Sequence, residues 1–110
     1  MAIKAHLHIA NPALPALVLV HGLGSAGTIW MSLIPQLSEY FTVYPIDLPG
    51  HGVAHLDEGE EYDPQSLARA IVQEMNTTHG VTEMHVAGNS LGGWIALEMG
   101  SVAPDQVKSI

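Results

Sequence analysis

The chain has no cysteine, a single phenylalanine and three cationic side chains, and no apolar run of membrane-spanning length. Without cysteine there can be no disulfide, thiolate nucleophile or zinc–cysteine site, which fits a reducing compartment. Lys4, Arg69 and Lys108 stand against eleven carboxylates, for a formal charge of −8. So few cations leave no electrostatic footprint for nucleic acid or anionic lipid, and both partners are disfavoured. The apolar stretch nearest the start, "ALPALVLV", follows His6, His8 and Asn11 and is itself broken by Pro15. It runs into "HGLG", not into a small-residue cleavage site, and falls far short of the ~18 residues of a span. The expectation is a soluble, cytoplasmic protein.

What is present is core material. Apolar residues make up 47% of 110 positions and charged ones 13%, enough for one domain at most. "ALVLV" (16–20) and "FTVYPID" (41–47) are continuous apolar runs of the kind a sheet covered on both faces requires. "EMHVAG" (83–88) is a third short strand, "QVKSI" begins something β-like, and "IKAHLHI" (3–9) alternates loosely as an outer strand. Trp30, Leu33, Ile34 and Leu37 recur at helical spacing, with Pro35 as the flaw in that helix. Asp63 and Pro64 read as cap and first residue of a helix whose apolar face is Leu67, Ile71, Val72 and Met75. "LGGWIALEMGSVA" reads as a helix that stops before Pro104. The run "LDEGEEYDP" reads as a solvated acidic loop.

Strand, loop and helix three times over imply a parallel sheet in an α/β fold. Ligands in such sheets gather at the carboxyl ends of the strands. The loops at those ends, "HGLGSAG", "DLPGHG" and "GNSLGG", are also the most glycine-rich places in the chain. In the last of them, Gly88-Asn89-Ser90-Leu91-Gly92 matches G-x-S-x-G. A serine at the tip of a strand-to-helix turn sits in a strained backbone, and the flanking glycines lie where a Cβ would clash. The helix behind points its amino end at the serine, so its N–H groups favour a developing oxyanion.

Three segments together resemble the α/β-hydrolase superfamily. "LVLVHGLGSAGTIW" is similar to its His-Gly loop, "VYPIDLPGHG" to its D-x-P-G-H-G turn, and "VAGNSLGGWIALEM" to its nucleophile elbow, in the family's order. Ala54 departs from the serine common after the G-H-G turn. The resemblance implies a three-layer α/β sandwich with a mostly parallel sheet. It implies Ser90 as an acyl-accepting nucleophile and the backbone N–H groups of Leu23 and Leu91 as the oxyanion hole. Gly22, Gly88 and Gly92 become the loop and elbow glycines. The implied partner is a small-molecule ester or acyl substrate, with no metal and no organic cofactor. Serine at position 90 disfavours the carboxylate-nucleophile branches, dehalogenases and epoxide hydrolases. Esterases, thioesterases, carbon–carbon bond hydrolases, lipases, acyltransferases and perhydrolases stay open.

A serine hydroxyl needs a base, and in this family acid and histidine follow the serine. After Ser90 come Glu98 and Asp105 but no histidine. The resemblance therefore covers the amino-terminal portion of a single hydrolase domain, cut at the start of the sixth strand, with lid and remaining catalytic residues beyond it. The 110 residues alone are expected to be inactive, as an incomplete fragment or a non-enzymatic binding module. The strand leading to the elbow would then be an exposed edge. Among upstream histidines, His21 is the best-placed substitute base, though the family's counterpart is structural, and His51 reads as loop-stabilising. His51 with His55, and His6 with His8, are weak metal pairs, and His79 and His85 have no special reading. Asp47 reads as an anchor of the "LPGHG" turn. Trp30 and Trp94 read as core, with Trp30 also a candidate wall of an acyl pocket.

Overall fold

The computed structural model describes residues 1–7 and 11–110. Five strands form one sheet: β1 (Lys4–Ala5), β2 (Ala16–Val20), β3 (Thr42–Asp47), β4 (Met84–Gly88) and β5 (Val107–Ser109), in the order β1-β3-β2-β4-β5. β1 is antiparallel to β3, and every other pairing is parallel. The helices are α1 (Ile34–Leu37), α2 (Pro64–His79) and α3 (Leu91–Val102).

The central strand explains the layering. All five residues of β2 are buried, and its side chains alternate between two cores, as the period of two demands. Val18 and Val20 join Tyr44, Ile46 and Val86 beneath α2 and α3. Leu17 and Leu19 join Val43 and Ile34 on the other face, with Trp30 and Leu37 packed against them. This is a three-layer α/β sandwich. α2 starts where the sequence places it: Asp63 accepts from the Ser66 N–H at 2.9 Å and its hydroxyl at 2.8 Å. Those bonds hold the Asp63 carboxyl below the usual carboxylate range. Gly80, at φ 66°, closes the helix.

Four expectations are corrected. The outer strand is two residues long, and His8 and Ile9 lie outside the described residues. The helix expected from Trp30 to Leu37 is a 3-10 turn (Gly27–Trp30) followed by the single turn α1, which carries Pro35 at its start. Proline lacks an N–H, so it opens a helix more readily than it continues one. Trp94 is 58% exposed, because the buried stripe of α3 is Gly92, Ile95, Ala96 and Met99 and Trp94 lies off it. Finally, β5 covers the amino half of β4, through Met84↔Val107 and His85↔Ser109, so the outer edge there is β5.

Candidate active site

Register sets the site. Val20 is level with Ile46 on one side and with Gly88 on the other. The three glycine-rich loops therefore leave the sheet side by side, at one height.

Ser90 carries the backbone anomaly of the elbow. It has φ 57° and ψ −119°, and no other non-glycine residue among those described has a positive φ. Serine at a helix start normally turns its hydroxyl onto a backbone N–H. Here Ser90 precedes α3 with no such cap bond, and its side chain is exposed. The strain, of order 1–3 kcal/mol, is held in place by packing behind the turn. The Asn89 N–H donates to the Val20 carbonyl at 3.1 Å and the Gly92 N–H to the Asn89 carbonyl at 2.9 Å. A Cβ on Gly92 would stand 2.0 Å from the Val20 carbonyl oxygen, and one on Gly88 would stand 2.2 Å from the Gly92 carbonyl oxygen. Neither position admits a side chain. Gly22 differs: a Cβ there would meet the Asn89 carbonyl and the Ser90 Cβ at an ordinary 3.4 Å. Its backbone thus lies against the elbow without sterically requiring glycine.

That contact brings the first loop to the third. Leu23 follows Gly22, and Leu91 follows Ser90. Among the described residues neither N–H is engaged in a hydrogen bond. Two unspent backbone donors, sixty-eight positions apart in sequence, thus flank the serine turn.

The first and second loops are fastened by three buried or half-buried side chains. His21, wholly buried, donates from Nδ1 to the Gly22 carbonyl at 2.7 Å and accepts the Leu48 N–H on Nε2 at 3.1 Å. His51 has the same tautomer: Nδ1 donates to the Pro49 carbonyl at 3.0 Å, and Nε2 accepts the Gly24 N–H at 2.8 Å. The two rings lie 4.9 Å apart. Burial disfavours the His21 imidazolium and lowers its pKa, helped by nearby His51 and opposed by the bond to Gly22 and by Asp47. Asp47, 3% exposed, accepts from the Gly27 N–H at 2.7 Å, the Val53 N–H at 3.1 Å and His6 Nε2 at 2.8 Å. Burial pushes its pKa up, but the bonds to Gly27, His6 and Val53 outweigh it and hold the carboxyl below its ordinary value.

Asp47 therefore anchors more than the turn after β3. It also seats the 3-10 turn and, through His6, the chain beside β1. The sequence reading missed the Gly27 and His6 partners, and it missed the bond from Gly24 to His51. The density of glycines in both loops was the available clue to such close approach.

With both ring nitrogens spent, neither His21 nor His51 has an atom free to take a proton from Ser90. His55 is paired with Asp57 at 2.9 Å, and His85 bonds the Ser109 hydroxyl at 2.6 Å. Trp30 packs against the core on the opposite face of the sheet, as its reading as a core residue expects. A cavity of about 320 Å³ does adjoin the loops, lined by Leu23, Leu48, His51, Leu56, Tyr62 and Leu91 among others. Leu56 and Tyr62 come from the segment read as a solvated loop. No cluster of three His, Asp or Glu side chains suited to a metal occurs among the described residues, and no helix there is long and apolar enough to cross a membrane.

Comparison with known proteins identifies the family and the fold. The model of the alpha/beta hydrolase family matches residues 17–109. The chain belongs to the alpha/beta hydrolase family. This alpha/beta hydrolase chain is similar to the pimeloyl-(acyl-carrier protein) methyl ester esterase of Methylococcus capsulatus, 36% identical over 96 residues, covering 87% of this chain and 35% of that protein. The enzyme of the same description from Aeromonas salmonicida is 33% identical over 96 residues, covering 87% of this chain and 36% of its own length. The crystal structure of a hydrolase from Pseudomonas aeruginosa superposes with a TM-score of 0.86 at 26% identity, over 96% of this chain and 39% of that one. The hydrolase chain thus spans just over a third of the length of the relatives it matches.

Proposed function

We propose that Ser90 is the nucleophile of a serine hydrolase that cleaves a carboxylic ester or related acyl bond. The observation that carries this reading is the left-handed backbone of Ser90, which holds an unbonded hydroxyl at the amino end of α3. In the reaction the Ser90 oxygen bonds to the acyl carbon, and the N–H groups of Leu23 and Leu91 receive the oxyanion. Collapse of that intermediate breaks the bond to the leaving alcohol, which takes the proton removed from Ser90. Water then hydrolyses the acyl-enzyme by the same route. One oxyanion donor contributes about 3–4 kcal/mol to such a step. Similarity to methyl ester esterases supports an ester over other acyl bonds.

The base is the missing part. Because both nitrogens of His21 and of His51 are engaged, we assign the histidine and its acid to a segment outside these 110 residues. Those residues then form the amino-terminal portion of a single hydrolase domain. By themselves they constitute a nucleophile-bearing portion, catalytically incomplete. A fluorophosphonate probe tests the whole reading. It should label the complete protein at Ser90 and not the Ser90→Ala variant, while the 110-residue chain hydrolyses p-nitrophenyl acetate at the background rate. Labelling that survives Ser90→Ala removes Ser90 from the chemistry, and fast turnover by the short chain means that a base lies within it.

A further inference from the structure

The tip of the first loop carries the Leu23 donor, and its own side chains do little to hold it. Among the described residues neither Leu23 nor Gly24 belongs to either core. Gly24 takes φ 81°, a conformation that glycine enters and leaves with equal ease. The tip is fixed instead by the two peptide planes that meet at the Leu23 Cα. The first, between Gly22 and Leu23, has its carbonyl on His21 Nδ1 at 2.7 Å and on the Ser25 N–H at 3.1 Å. A trans peptide sets its N–H opposite its carbonyl, so the Leu23 N–H faces away from that ring. The second plane, between Leu23 and Gly24, has a single bond among the described residues: the Gly24 N–H donates to His51 Nε2 at 2.8 Å.

His51 is itself firmly mounted. Its Nδ1 donates to the Pro49 carbonyl at 3.0 Å. Its backbone N–H donates to the Leu48 carbonyl at 2.9 Å, and its carbonyl accepts the Ala54 N–H at 3.0 Å. Asp47 pins the same turn through the Val53 N–H, and the far end of the first loop through the Gly27 N–H. His51 Nε2 thus reaches from an anchored turn to the soft middle of its neighbour, twenty-seven positions away. The bond lies at the surface, where water would satisfy the Gly24 N–H nearly as well, so it adds little stability. What it adds is position, which is what an oxyanion donor requires.

We propose that His51 is a positioning residue for the oxyanion: its Nε2 holds the Leu23–Gly24 peptide and so keeps the Leu23 N–H aimed beside Ser90. The inference rests on the reading of Ser90 as nucleophile and adds to it a side chain that touches neither substrate nor serine.

Two amide substitutions in the complete protein separate the two nitrogens of the ring. His51→Asn can replace Nδ1 toward Pro49 but stops short of Gly24. His51→Gln can replace Nε2 toward Gly24 and gives up Pro49. With p-nitrophenyl acetate, His51→Asn should lower kcat roughly 10–100-fold with KM within about twofold, the mark of an interaction made in the transition state. His51→Gln should recover most of that loss, and the urea midpoints of the two variants should agree. A second readout is the backbone amide spectrum of the fluorophosphonate adduct, whose phosphoryl oxygen occupies the oxyanion position. On labelling, the Leu23 and Leu91 amide protons should both move downfield in the unsubstituted protein. In His51→Asn the Leu91 shift should persist and the Leu23 shift should be lost.

An unchanged kcat in His51→Asn overturns the proposal, as does a Leu23 shift that survives it. So does His51→Gln proving the slower variant, because the bond to Pro49 would then be the one that matters. A loss confined to the urea midpoint also overturns it, since His51 would serve stability alone. Absence of labelling at Ser90 in the unsubstituted protein removes the hydrolase reading and this inference with it, whereas labelling with Leu23 indifferent to His51 removes this inference alone.

Discussion

The two ends of the sheet offer a hollow each, and the larger one is at the wrong end for chemistry. At the amino ends of the central strands, Asn11, Thr42, Tyr44, His79 and Lys108 border a space of about 540 Å³. At the carboxyl ends the pocket beside Leu23 and Leu91 is about 320 Å³. At the amino end, the buried polar side-chain atom without a partner among the described residues is the Nε2 of His79. The carboxyl end has a serine forced into a left-handed conformation, two unspent N–H donors and three side chains dedicated to fastening loops. Volume measures where atoms are missing. Strain and unspent donors measure where structure has been spent on something other than stability.

The contrast would break most visibly at Gly92. Gly92→Ala places a methyl 2.0 Å from the Val20 carbonyl oxygen, so the elbow must leave β2. A loss of about 3 kcal/mol is expected, read as a drop in the urea midpoint. Its neighbour supplies the control, since a Cβ on Gly93 would sit an ordinary 3.4 Å from the Gly88 carbonyl. Gly93→Ala should be neutral, or stabilising by up to about 1 kcal/mol through helix propensity. Equal penalties at the two positions would mean that the packing behind Ser90 is not what fixes the turn.

Asp47→Asn tests the fastening of the loops at a smaller cost. The amide can present its oxygen to the Gly27 N–H or to the Val53 N–H but not to both, and it loses the charge that faces His6. About 2 kcal/mol should be lost, and thermal unfolding should begin earlier by roughly 8–16 °C. An unchanged midpoint would show that the loops hold themselves.

The gentlest probe is pH. Burial holds His21 below the ordinary histidine value, so the unfolded chain takes up a proton that the folded chain refuses. Stability should therefore fall as pH drops below about 6.5, and this contribution should stop changing once pH is below the folded value. Asp47, held below the carboxylate range, adds a further loss near its own protonation at lower pH. Urea midpoints between pH 8 and 3 should show two declines, and His21→Gln should remove the first.

How much of this was legible in the sequence depends on how local its cause is. The strands 16–20 and 42–47 announce themselves as buried runs, because a sheet covered on both faces needs them; 84–88, half-buried and containing His85, was readable only as a short strand ahead of the glycine-rich turn. α2 was readable to the residue at its start, since Asp63 and Pro64 act within one turn. The G-x-S-x-G spacing was readable as a pattern: the crowding of Gly88 against Gly92 is local, while that of Gly92 against the Val20 carbonyl on β2 is not. The segment 27–37 was misread, because Gly27 is held by Asp47, twenty positions away, and no periodicity encodes that. The pocket was invisible for the same reason. Its walls come from separate segments of the chain, one of them disguised by its run of carboxylates.

The shared level of Val20, Ile46 and Gly88 also constrains how chains of this kind can change length. One residue inserted within β4 would advance the elbow by roughly 3.3 Å and turn the downstream side chains to the opposite face. Ser90 would move away from Leu23 with no loop able to take up the slack. Insertions and deletions among natural variants should therefore collect where nothing has to line up, in the connections at the other end of the sheet. The strands act as a common ruler, and the loops are where drift is permitted.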